Sequence, residues 1–100
     1  MFEIEQTDVY RRWFAKLSDR NARARIDIRL SRVRIGQFGD FRFVGSGVLE
    51  LRIDYGPGYR IYFTRRSKAV ILLLAGGDKR SQSRDIERAI ALADRTRREK

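Results

Sequence analysis

The chain contains no cysteine and no histidine. Disulfides, thiol nucleophiles, zinc sites built from Cys and His, and any imidazole proton relay are thereby excluded. Proton transfers must use Glu, Asp, Tyr, Lys, Arg or the substrate itself. Long apolar runs are missing as well. The longest, Ala69 to Ala75, has the length of a strand and falls far short of the ~20 residues of a membrane span, so no membrane partner is expected. The opening residues, Met1 to Gln6, lack the basic segment and apolar run of a signal peptide, and a cytoplasmic location is expected. Repeats, low-complexity stretches and linkers are absent, and 100 residues are enough for one core, so residues 1–100 are expected to form one domain.

Positive charge is what the chain has in excess. The net charge is +10, and of 23 basic residues only Lys16, Lys68, Lys79 and Lys100 are lysines. The planar guanidinium fork pairs with phosphates in bidentate fashion and stacks on bases, so an arginine-weighted surface suits RNA or DNA. An acidic protein partner is served by the same surface, and charge alone does not separate the two.

The pattern that organises the chain runs from Leu49 to Thr64. Leu49, Leu51, Ile53 and Tyr55 alternate with Glu50, Arg52 and Asp54; after Gly56-Pro57-Gly58, the residues Tyr59, Ile61 and Phe63 alternate with Arg60, Tyr62 and Thr64. Period two on both sides of a breaker predicts a β-hairpin with one apolar and one polar face. Because a one-residue slip would turn every apolar side chain outward, facing residues must have the same parity. The simplest register pairs Tyr55 with Tyr59 and sets Arg60 opposite Asp54, Tyr62 opposite Arg52 and Thr64 opposite Glu50. The polar face is either a set of solvated cross-strand ion pairs or a functional surface.

In chain order, Phe2 to Gln6 alternates as a short strand. Thr7 or Asp8 can cap a helix whose stripe is Val9, Trp13 and Leu17 with Phe14 beside them; the stripe reads as core, with Trp13 a packing anchor. Ser18 and Asp19 restart a helix with Ala22, Ile26, Leu30 and Val33 on one face, ended by Gly36. Its Arg25, Arg29 and Arg32 form an adjoining stripe, either a solvated face or a footprint on RNA or the ribosome. Phe41 to Val44 is the next strand. Ala69 to Leu74, apolar at successive positions, reads as an interior strand covered on both faces. The paired glycines Gly76 and Gly77 let the backbone after it approach something closely. Ser81 or Ser83 can cap the last helix, with Asp85 in its first turn, a narrow apolar face of Ile86, Ala89, Ile90 and Ala93, and a charged tail, Arg95 to Lys100, expected to fray. Strand, two helices, four strands and a helix argue an α+β fold: a mostly antiparallel sheet, a helix pair packed on one face, a C-terminal helix, and arginines on the other face.

If the last strand lies beside the hairpin, Lys79, Arg80 and Gln82 converge on the sheet region of Arg52 and Arg60. RNA cleavage by the neighbouring 2′-hydroxyl requires removal of that proton, stabilisation of a doubly charged phosphorane and protonation of the 5′-oxygen. Arg and Lys suit the middle task. Glu50 or Asp85 can act as base and Tyr62 or Lys79 as proton donor only with shifted pKa values. No metal or cofactor is called for.

Val48 to Phe63, followed by Leu73 to Lys79 and Asp85 to Ala89, resembles the killer-protein branch of the RelE/ParE toxin superfamily, with HigB-like toxins its nearest named members. The resemblance implies a compact RelE-like α+β fold and the toxin of a type II toxin–antitoxin pair. It implies an antitoxin of the small helix-turn-helix DNA-binding kind, a toxin–antitoxin hetero-oligomer, and for RelE-like members cleavage of mRNA in the ribosomal decoding site. By position, Arg60 corresponds to the arginine that contacts the scissile phosphate, Arg52 to a basic position on the preceding strand and Lys79 to the basic position in the loop after the last strand. Glu50 stands where some of these ribonucleases have a lysine, and Asp85-Ile86 where they place a tyrosine or histidine. A ParE-like toxin that inhibits DNA gyrase by binding, or an inactive member that retains antitoxin binding, are the alternatives.

Overall fold

The computed structural model describes residues 1–99. The elements are β1 (Glu3–Gln6), α1 (Asp8–Ala15), α2 (Arg20–Arg34), β2 (Phe41–Gly45), β3 (Val48–Ile53), β4 (Tyr59–Arg65), β5 (Val70–Gly77), a single 3-10 turn (Lys79–Ser81) and α3 (Gln82–Arg98). The α+β order expected from the sequence is the order observed.

The five strands form one sheet in the order β1-β5-β4-β3-β2. Its β2, β3, β4 and β5 are antiparallel neighbours, while β1 runs parallel to β5, so the sheet is mixed. β5 is interior, as its unbroken apolar run requires. The parallel pair β1 and β5 is far apart in the chain, with α1, α2 and the antiparallel strands β2 to β4 between them, which supplies the long connection a parallel pair needs.

The starts of α1 and α2 are fixed by short polar side chains. Thr7 accepts from the Tyr10 amide and donates to the Leu74 carbonyl, which ties the start of α1 to β5. Asp19 accepts from the Asn21 and Ala22 amides at the start of α2. Asp78 caps the 3-10 turn, accepting from the Arg80 and Ser81 amides while the Ser81 hydroxyl accepts from the Asp78 amide; Ser81, one of the serines expected to cap the last helix, holds the N-cap position of α3 but makes no side-chain capping bond there. α3 extends to Arg98, so the tail expected to fray is helical to that point, and Lys100 lies outside the described residues.

Two apolar layers sandwich the sheet. On one face Ile26, Leu30 and Val33 of α2 and Tyr10 of α1 pack with Leu49, Leu51, Ile53, Ile61, Phe63, Ile71 and Leu73, the alternate set expected to face a core. Ala22, Ile26, Leu30 and Val33 are all buried, as the period in α2 requires. In α1 the buried residue is Tyr10 rather than Val9, which packs on the opposite layer with Ile86, Ile90 and Leu92. The short helix lies across the sheet end and touches both layers.

The second face is not an open field of arginines. α3 covers it, with Ala89 and Ala93 against Val48, Tyr62, Leu72 and Leu74, and the small side chains let the helix approach closely.

The hairpin register also differs from expectation, by two residues. Ile53 pairs with Tyr59, Arg52 with Arg60, Leu51 with Ile61, and Glu50 with Tyr62. Parity, and therefore the facing of every side chain, is preserved, but the connection comprises residues 54–58 and Asp54 has left the ladder. Tyr55 explains the slip. Its hydroxyl donates to Asp19 and the Arg25 guanidinium lies over its ring, so it anchors the loop to α2 instead of pairing with Tyr59. Gly56 and Gly58, both with positive φ, accommodate Pro57 between them.

Candidate functional site

The register brings two cations face to face. Arg52 and Arg60 occupy directly paired positions on β3 and β4, and Lys79 leaves β5 beside them. The three line a groove of about 470 Å³ whose wall is the hairpin loop from Asp54 to Gly58, with Asp40 at its rim. A Cβ built at Gly58 would lie 3.5 Å from a terminal nitrogen of Arg60 and 3.6 Å from the Lys79 Cβ, so the loop end, Arg60 and Lys79 adjoin.

The pair is neutralised unequally. Arg52 makes a two-pronged contact with Asp40, from Nε at 3.1 Å and from the terminal nitrogen at 2.6 Å, and this partner raises its already high pKa. Among the described residues Arg60 donates to the Gly58 and Tyr59 carbonyls alone, and its Nε is buried with no hydrogen-bond partner there. Neither Arg60 nor Lys79 belongs to any ion pair among the described residues.

Behind this groove lies a buried polar cluster. Glu50 is 0% exposed, and it accepts from Arg42 (2.8 Å), the Tyr62 hydroxyl (3.0 Å) and the Gln82 amide (2.8 Å). Burial pushes the Glu50 pKa up, but the donors Gln82, Arg42 and Tyr62 outweigh it, and the net shift is downward. Tyr62 is raised, first by burial and then by the charge of Glu50. Glu50, Tyr62 and Gln82 therefore meet one another under α3, with both Glu50 oxygens and the Tyr62 hydroxyl engaged inside the cluster.

Asp85 stands apart from that cluster. Its Oδ2 accepts from the Ser81 hydroxyl and rests on the backbone of Gly77. A Cβ at Gly77 would overlap this carboxylate, and one at Gly76 would overlap the Trp13 indole on the opposite face. The two glycines thus make the close approaches expected of them, one to each helical layer. Arg80 is exposed on the 3-10 turn.

The stripe on α2 divides by role. Arg29 donates to the carbonyls of Arg52 (2.6 Å), Phe38 (2.9 Å) and Asp40 (3.1 Å), stapling the end of β3 to the chain entering β2. Arg25 and Arg32 are exposed and line a second cavity of about 340 Å³ with Ile28, Ile53 and Asp54. Ile53 and Asp54 also line the first groove, so the two depressions adjoin. Asp40, Arg42 and Tyr55 shape the site but stood outside the expected set; the short Asp-x-Arg spacing before β3 is the signal that ties the first two to Arg52 and Glu50.

A family model described as "Phage derived protein Gp49-like" (DUF891) matches residues 12–98. The chain belongs to the Gp49-like family. This chain is also similar to a protein of Haemophilus influenzae named "Uncharacterized protein", with 42% identity over 91 residues that make up 91% of this chain and 92% of the other. The Gp49-like match runs from the second half of α1 through α2, the hairpin and β5 to α3, and so includes every residue that lines the groove. The family matched is Gp49-like, where the sequence resemblance points to the HigB-like branch of the RelE/ParE superfamily. Among the described residues of the Gp49-like chain, no helix is long and apolar enough to cross a membrane.

Proposed function

We propose that this Gp49-like chain is the toxin of a toxin–antitoxin pair and that its groove acts on RNA as a ribosome-dependent mRNA endonuclease. Membership of a family read as RelE-like toxins supports the toxin and its antitoxin partner. The observation that carries the RNA reading is the unpaired charge of Arg60, held in a groove with Lys79 while Arg52 opposite is already matched by Asp40. A scissile phosphate seated there receives two uncommitted cations, and the negative charge that develops as the 2′-hydroxyl gives its proton to solvent water and attacks phosphorus while the 5′-oxygen leaves is where such donors count most. Arg25 and Arg32, across Asp54, lie where the next nucleotides of a single strand would pass. Glu50 serves this site by fixing Tyr62, Gln82 and Arg42, and Lys79 is the remaining candidate proton donor to the leaving oxygen.

One observation favours a binding-only toxin, such as an inhibitor of gyrase: both carboxylates considered as base, Glu50 and Asp85, are engaged by neighbours. Mapping 5′ ends on a reporter mRNA in a translating extract separates the readings. Cuts that require translation and vanish with Arg60→Ala are expected. Growth arrest without cuts overturns the nuclease reading and moves the target elsewhere.

A further inference from the structure

The groove holds a carboxylate that its cations leave unmatched. Asp54 lines it together with Arg52, Arg60 and Lys79, and on its other side lines the cavity of Arg25, Arg29 and Arg32. It is exposed, and it belongs to no ion pair among the described residues. The other carboxylate of the groove, Asp40, is taken up by Arg52. Asp54 therefore stands as a lone negative group on the ridge between two basic depressions.

Its neighbours are arranged so that it stays unpaired. The last pair of the β3–β4 ladder is Ile53 with Tyr59, so Asp54 has no residue across the sheet from it. Tyr55, the next residue, donates to Asp19, and the Arg25 guanidinium lies over the Tyr55 ring, 4.5 Å from its centre. Arg25 is thereby engaged by the ring instead of the adjacent carboxylate. Because Arg25 is also exposed, the plane of its guanidinium away from Tyr55 is open to a ligand, and such planes stack on nucleic-acid bases.

A strand of RNA crossing this ridge is repelled if it sets a phosphate on Asp54, so what meets the carboxylate is a base. Guanine alone among the RNA bases carries two donors side by side on its pairing edge, N1–H and N2–H, spaced to meet the two oxygens of one carboxylate. Adenine and cytosine place a ring acceptor beside their amino group, and uracil sets its one N–H between two carbonyls. Each of these acceptors faces the carboxylate with like charge. We propose that Asp54 and Arg25 form a subsite for a guanine base next to the scissile phosphate, in which Asp54 accepts from N1–H and N2–H and Arg25 stacks on the ring. The subsite rests on the RNA reading of the groove and adds to it the base that is read.

The probes are short oligouridines that carry guanine, adenine, cytosine or uracil at a single position, bound to the full-length protein at low salt and followed by fluorescence anisotropy. The guanine oligomer should bind the wild-type protein roughly tenfold more tightly than the other three. Asp54→Asn, at an exposed loop position, should lose this preference, because an amide offers one acceptor and turns a donor toward a donor; its affinity for plain oligouridine should hold or rise. Arg60→Ala should weaken all four and keep the ratio. In the translating extract, guanine should be enriched beside the wild-type cuts and not beside those made by Asp54→Asn. Equal affinity for the four oligomers, or a preference that survives in Asp54→Asn, would overturn the subsite. Cuts without guanine beside them would overturn it too while leaving the nuclease reading in place, whereas a guanine preference without cuts would support the subsite and sink the nuclease.

Discussion

Arg52 and Arg60 stand opposite each other on neighbouring strands, and only Arg52 has a carboxylate. Like charges directly across a sheet cost stability, on the order of 0.2–1 kcal/mol. Arg60→Gln should therefore keep or slightly raise the midpoint of urea unfolding while abolishing the RNA cleavage proposed for the groove. A variant that loses both stability and activity would make Arg60 a structural residue.

Asp40 holds Arg52 back from any ligand. Asp40→Asn frees that guanidinium, and RNA affinity at low salt should rise, with the slope of log K against log salt becoming steeper by about 0.7, one single-strand phosphate contact. Filter binding or anisotropy across a salt series reads this directly. An unchanged slope would mean that Arg52 faces no phosphate.

Arg29 and Arg32 belong to one stripe and should respond oppositely. Arg29→Ala removes donors from three carbonyls at the root of β2 and β3 and should cost ~1–3 kcal/mol of stability. Arg32→Ala, at an exposed residue of the second cavity, should leave stability within about 0.5 kcal/mol and flatten the salt slope.

Glu50 sets an acid limit. Its folded pKa is held below the ordinary 4.5, so the unfolded chain takes up that proton first as pH falls. The stabilisation is complete above about pH 4.5 and is lost as pH drops through the lower folded value. Glu50→Gln should unfold ~2–3 kcal/mol more readily at pH 7, because Tyr62 and Gln82 lose a charged acceptor under α3, and the difference from wild type should shrink toward pH 3. Urea titrations at both pH values check the sign.

Gly77→Ala has no room. Its methyl would overlap the Asp85 carboxylate, forcing the first turn of α3 outward, with an expected cost of ~1–3 kcal/mol. Thermal unfolding of this variant beside Gly58→Ala, a position of positive φ in the loop, distinguishes crowding from backbone strain.

The face of α2, the interior β5 and the alternation of the hairpin were legible because each is written in a local period of about 3.6 or 2. What was not legible depends on distant partners. Parity fixed which way Arg60 points but admitted either Asp54 or Arg52 opposite it, and the choice is made by Tyr55 reaching Asp19, 36 residues away. Glu50 reads as a surface charge in its own strand. Only Arg42 from β2 and Gln82 from α3 reveal that it is enclosed. The sequence showed that Gly76 and Gly77 make room, but not for Trp13 and Asp85.

Those two glycines carry a consequence for timing. The strand that delivers Lys79 to the groove is pinned between an indole from α1 and a carboxylate from α3, the first and last helices of the chain. A growing polypeptide can pair β3 with β4 and seat β5, yet the far side of Gly77 stays unoccupied until the C-terminal helix has been made. The basic groove is thus assembled last, and a chain interrupted before α3 would carry all three of Arg52, Arg60 and Lys79 without holding them in place.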